Sequence, residues 1–208
     1  MDLFSEITSA VAALSGTALV CFWISQAIGL VNTGLSIYAG QVNTPKKILV
    51  TELVMNLLCA LAALLVGGYT GALTNLIAVF VAAFIYRHNQ KHGAAPLPKS
   101  FLVGSAAAFV LSGLLAIAVA SPALQRGEPE AFFGELLWYD ALPILACLVF
   151  LLSLVCRNAT GYRLCMLVTS TSWGVYNGMI GAYTSMLTQI LLFASIAVAL
   201  VRLDLRRK

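Results

Sequence analysis

Between Glu6 and Lys46 the chain carries no acidic or basic residue, and residues 53–86, 100–125, 141–156 and 164–201 are equally free of Asp, Glu, Lys and Arg. A soluble domain has about 25% charged residues spread over its surface; here the figure is 10%, with 61% hydrophobic residues and a mean hydropathy of +0.94. Apolar runs near 20 residues match the hydrocarbon thickness of a bilayer. Backbone polar groups in that layer are satisfied by helices, so the expected class is an all-α integral membrane protein. The formal charge of +4 then reflects basic residues flanking apolar spans, and nucleic acid is not an expected partner.

The runs predict seven spans near 22–41, 48–66, 70–87, 100–121, 136–156, 163–181 and 184–203, with tight turns at NTPKK (43–47), GGYT (67–70) and RNATGYR (157–163). Residues 7–21 read as a helical extension or an interfacial segment, and no basic n-region of a cleaved signal precedes them. With the N-terminus outside, eleven Lys and Arg fall on the cytoplasmic side and only Arg126, beside Glu128, Glu130 and Glu135, on the outer side. Such a bias in short loops predicts N-out, C-in.

GGYTGALTN (67–75) returns 114 positions later as GAYTSMLTQ (181–189). That offset maps spans one to three onto five to seven and leaves span four as a linker. One extra helix restores direction, so the copies are expected to be parallel repeats, with any solute site near the midplane between them. The expected organisation is an extension (1–21), a first three-helix repeat (22–89), a linker with span four (90–134), and a second repeat with a basic tail (135–208).

Polar side chains within the spans gather at helical spacing: Ser25, Gly29, Asn32 and Ser36; Glu52, Asn56, Cys59 and Ala63; Met166, Ser170, Trp173 and Asn177. Such stripes share a helix face. Small and hydroxyl residues also serve close helix packing, the simpler reading for Ser25, Ser36, Ser170 or Thr74 taken singly. GVYNG (174–178) fits the same packing role. Glu52 reads as an interfacial partner of Lys46 or Lys47, and Asp140 as an anchor beside the aromatic pair Trp138 and Tyr139. His88 and His92 read as a solvated cytoplasmic loop rather than a metal site. The five cysteines form no metal-like spacing, and no cofactor is expected.

The stretches WISQAIGLVNTGLSI (23–37), KKILVTELVMNLL (46–58), LLVGGYTGALTNLIA (64–78) and TSWGVYNGMIGAYT (171–184) resemble the YgjV family of bacterial inner-membrane proteins, over roughly 22–87 and 135–203. That family resembles the wider group of SWEET sugar transporters, PQ-loop proteins and PnuC-type vitamin transporters, which share a 3+1+3 helix arrangement. The resemblance implies that Trp173, Gln189 and Asn75 face a substrate, with Cys59 the repeat partner of Trp173. Asn177, Asn56 and Asn32 join them on the stripes above. It also implies hinges at Pro143 and at its counterpart Gly29, where SWEET-type proteins have proline in both repeats. Gln189 stands where that family has the shorter Asn.

The expected function is transport, by alternating access, of a small polar, neutral solute of sugar, nucleoside or vitamin type. A Trp face with amides suits such a molecule. The alternative is a non-transporting membrane scaffold or regulatory partner. An enzyme is not expected, because no nucleophile, base and metal set converges, and span seven has no lysine for a retinal Schiff base. Seven helices suffice for a pathway in one chain, and a homo-oligomer is compatible with the sequence.

Overall fold

The computed structural model describes residues 16–41, 45–93, 95–121, 125, 137–156 and 159–205. Among these residues seven α-helices form: α1 (Thr17–Gln41), α2 (Pro45–Leu65), α3 (Tyr69–His92), α4 (Lys99–Ala120), α5 (Leu142–Ser153), α6 (Ala159–Met179) and α7 (Tyr183–Ala199). A 3-10 turn, Trp138–Ala141, leads into α5, and a π-helical turn, Leu200–Leu205, continues α7.

The chain is polar inside and apolar outside. Thr74 and Ser25 are 0% and 1% exposed, whereas Phe80 and Val103 are each 70% exposed. Water would oppose that arrangement and hydrocarbon favours it. Among the described residues four helices are long and apolar enough to cross a membrane: Thr17–Tyr38, Tyr69–His92, Lys99–Ala120 and Tyr183–Arg202. Val50–Leu65 and Trp138–Ser153 are shorter apolar helices. In α2 the lysines at 46 and 47 shorten the apolar stretch, and α6 is made polar by Arg163 and by the run Thr169–Ser172.

Local boundaries differ from the sequence expectation in three places. α1 already begins at Thr17, after Gly16 with φ +56°, so residues 17–21 belong to the first helix; residues 1–15 lie outside the described residues. Ala159–Arg163, expected in a turn, opens α6. His88 and His92, expected in a loop, lie in the last turns of α3 with ring centroids 4.9 Å apart.

The repeated words fold into the same turn. Gly67 and Gly181 take φ +77° and +79°, a left-handed conformation that favours glycine. Gly68 (φ −80°, ψ 66°) and Ala182 (φ −83°, ψ 62°) follow alike. Gly68 N–H donates to Ala63 O, and Ala182 N–H to Asn177 O, each at 2.8 Å; Gly67 N–H reaches Leu64 O and Gly181 N–H reaches Gly178 O at 3.2 and 3.3 Å. This is the paired bonding of a Schellman helix end.

Neither α3 nor α7 is capped by its own N-cap side chain, so free N–H groups of the first turn need partners from elsewhere. Tyr176 Oη, from α6, accepts from Gly71 N–H at 2.9 Å. Gln26 Oε1, from α1, accepts from Thr184 N–H at 3.0 Å. Tyr176→Phe therefore strands a buried donor, and its expected effect is a loss of about 1–3 kcal/mol. A fall in the midpoint of thermal unfolding in detergent checks this; an unchanged midpoint refutes it.

The helices pack pairwise in a cyclic order: α1 on α2, α2 on α3, α3 on α5, α5 on α6, α6 on α7, and α7 back on α1. α4 sits across the α3–α5 contact. Its fully buried Phe109 joins Val81, Cys147 and Leu151 in an apolar core cluster. In α6, Gly174 and Gly178 both face α7. A Cβ on Gly178 would lie 2.9 Å from Met186 Sδ, and one on Gly174 would lie 3.5 Å from Gln189 Cβ, so small residues permit this close approach.

Candidate functional site

Within the cycle of helices lies a cavity of about 250 Å³, the liquid share of roughly eight waters. It brings together Asn32 of α1, Asn56 and Cys59 of α2, Asn75 of α3, Trp173 and Asn177 of α6, and Gln189 of α7. All seven were singled out from the sequence. Asn32, Asn56 and Asn177 come from the helical stripes alone, Trp173 and Cys59 from the stripes and the resemblance together, and Asn75 and Gln189 from the resemblance.

Each is held by its neighbours. Asn32 Nδ2 donates to Cys59 Sγ at 3.0 Å, which joins α1 to α2. Asn75 Nδ2 donates to Gly71 O at 2.7 Å, and Asn56 Nδ2 to Glu52 O at 2.9 Å. Trp173 meets the buried Tyr176 edge to face, centroids 6.0 Å apart. On the opposite wall Thr188 Oγ1 donates to Thr184 O at 3.0 Å and pairs with Thr33 Oγ1. The amides of Asn177 and Gln189 form no hydrogen bond among the described residues and remain open to the cavity.

Gly29 and Pro143 do not line the cavity. Gly29 lies in the middle of α1 with the Thr184 side chain against it, close enough that any Cβ would overlap that side chain. Pro143, also buried, stands in the first turn of α5, where its missing N–H breaks no helix bond. Glu52 lines the cavity; no ion pair to it forms among the described residues, and the side chain of Lys46, one of its two expected partners, lies outside them.

One end of the cavity is closed by contacts that link the first and last thirds of the chain. Gln26 Nε2 donates to Gly181 O at 2.9 Å, and Thr184 Oγ1 donates to Gln26 O at 3.0 Å. Across the bundle Thr70 Oγ1 donates to Asp140 Oδ1 at 3.3 Å. Gln26 and Asp140 are 114 residues apart, as are Thr70 and Thr184, so the same clasp occurs twice. Sequence reading missed Gln26 and Tyr176 here; the 114-residue offset, applied to Asp140, points to Gln26. From this seal the cavity runs past Asn75 and Trp173 to Glu52, Ile85 and Leu192, toward the end where α1 and α3 finish. Among the described residues no three His, Cys, Asp or Glu side chains come together as a metal site. The arrangement can hold and orient a small solute by hydrogen bonds and ring contact.

Comparison with curated proteins and with solved structures gives no match. A family model described as bacterial inner membrane protein matches residues 23–126 and 131–207. It takes in α4, which the resemblance read from the sequence left largely out. With most of the chain covered and its apolar faces turned outward, the protein belongs to the Imp-YgjV family of bacterial inner membrane proteins.

Proposed function

We propose that the protein is a multi-pass carrier that moves a small polar solute by alternating access. Two parallel three-helix bundles, α1–α3 and α5–α7, rock about the cavity, with α4 as the linker between them. The observation that carries this reading is a largely apolar cavity into which amides from five helices project, with two equivalent clasps across one end. A packed scaffold has no use for uncommitted amides in hydrocarbon, where each is costly. This reading gives the chain the arrangement of SWEET, PQ-loop and PnuC-like transporters, which its sequence resembles. With the N-terminus outside, the clasps close the outer end and the cavity faces the cytoplasm. Gly29 and the junction before Pro143 are the hinges of this motion, each beside a clasp residue. Transport, rather than catalysis, is the activity.

The test is the unfolding midpoint of the purified protein against sugars, nucleosides, vitamins, amino acids and amines. A ligand at about a hundred times its dissociation constant stabilises the folded state by about 2.7 kcal/mol. The expected result is a shift with one solute class, followed by uptake of that solute into proteoliposomes. Binding without uptake, or no response to any class, overturns the carrier reading.

A further inference from the structure

The atoms the cavity presents decide what it accepts. Asn75 and Asn56 donate Nδ2 to the backbone carbonyls of Gly71 and Glu52. A carbonyl only accepts, so each amide is fixed with its Oδ1 uncommitted. Asn32 turns Nδ2 to Cys59 Sγ, and its Oδ1, out of reach of a solute, has no hydrogen-bond partner among the described residues. Thr188 is engaged by Thr184 O and by the Thr33 hydroxyl. Asn56 and Asn75 thus offer the solute acceptors, while the open amides of Asn177 and Gln189 offer both an acceptor and donors.

The charge is one-sided. Glu52 is the one charged side chain lining the cavity among the described residues, and no Lys, Arg or His lines it. A lone carboxylate with no lining cation beside it repels anions and leaves a neutral solute unable to balance its charge. A cation with N–H groups satisfies both the carboxylate and the free Oδ1 atoms, and the Trp173 face adds cation–π attraction. Glu52, Asn56 and Cys59 share one stripe of α2, so the carboxylate lies about 10 Å along the axis from the level of Cys59. An elongated cation spans that distance better than a compact ion.

We propose that the solute is a small organic cation, a protonated amine or guanidinium, with Glu52 as counter-ion and the Oδ1 atoms of Asn56 and Asn75 as acceptors. This rests on the carrier reading and replaces the neutral solute that the Trp and amides alone suggest.

The experiment uses the full-length protein in detergent and matched probes: 1,4-diaminobutane against 1,4-butanediol, and tyramine against tyrosol, each titrated by unfolding midpoint. At least one amine is expected to stabilise the protein and its alcohol not to. In Glu52→Gln, which keeps the shape of the side chain, affinity for that amine should fall about thirtyfold or more; Glu52→Asp, which keeps the charge, should retain part of it. The midpoints of both variants without ligand show that they are folded. Equal shifts by amine and alcohol, or an amine shift unchanged in Glu52→Gln, overturn the proposal. So does a shift produced by sodium chloride but not by choline chloride and lost in Glu52→Gln, which assigns Glu52 to an inorganic ion. If a neutral sugar or nucleoside shifts the midpoint and neither amine does, the cation assignment falls and the carrier reading stands. If nothing shifts, both fall.

Discussion

Trp173→Ala is expected to reduce solute uptake into proteoliposomes by at least about tenfold, the effect of losing about 1.4 kcal/mol of binding. The indole lies on α6, between the fully buried Tyr176 and the core cluster around Phe109, with its remaining surface on the cavity. Removing it takes away the largest contact surface in the site, and aromatic rings supply most of such contact area. Because the ring also touches the core, the alanine variant should lower the unfolding midpoint as well. Trp173→Phe separates the two effects: it refills the core contact, and the solute still meets a smaller ring without an indole N–H. Its midpoint should match that of the parent protein while uptake falls between the two. Gln189→Ala removes an amide open to the cavity beside Gly174 and should also slow uptake at an unchanged midpoint. Normal uptake by Trp173→Phe and Gln189→Ala together would place the solute elsewhere.

The sequence made some features legible for definite physical reasons. An asparagine in an apolar run has few acceptable places, so Asn32, Asn56, Asn75 and Asn177 stood out before any geometry, and all four line one cavity. The turns at Gly67 and Gly181 were legible because the words repeat, and glycine at both positions meets the same positive φ. Glu52 was read only from its distance to Lys46 and Lys47, which gave no hint of the cavity it lines. Its helical phase was the better guide, since Asn56 and Cys59 on the same stripe face the cavity. The start of α6 was hidden by Asn158 and Gly161, residues typical of turns; tertiary packing on α5 and α7 overrides that local preference. The clasp was hidden because hydrogen bonds between residues 26 and 184, or 71 and 176, join distant parts of the chain. Composition along one helix carries no sign of them.

Gly71→Ala is expected to destabilise the protein by about 1–3 kcal/mol, the usual cost of adding a methyl group to a filled core. The space is occupied: a Cβ at this position would lie 3.0 Å from both Tyr176 Cζ and Oη and closer still to Cε1. Tyr176 cannot swing aside, for it is 0% exposed, and Gly68 confines the same ring, with a Cβ there only 2.9 Å from Tyr176 Oη. The positions 114 residues away reverse the sizes. Ser185 corresponds to Gly71 and Ala62 to Tyr176, both buried, so a serine–alanine pair stands where the other half has glycine and tyrosine. The clash therefore belongs to the pair rather than to the glycine, and the double variant should reveal it. Tyr176→Ala alone opens a cavity and strands the Gly71 N–H, and adding Gly71→Ala to it should cost much less than Gly71→Ala in the parent protein. Residues in contact show such coupling by about 0.5–3 kcal/mol. Unfolding midpoints of the parent, two single variants and the double variant measure it; strictly additive effects would mean that Gly71 is needed for some reason other than the Tyr176 ring.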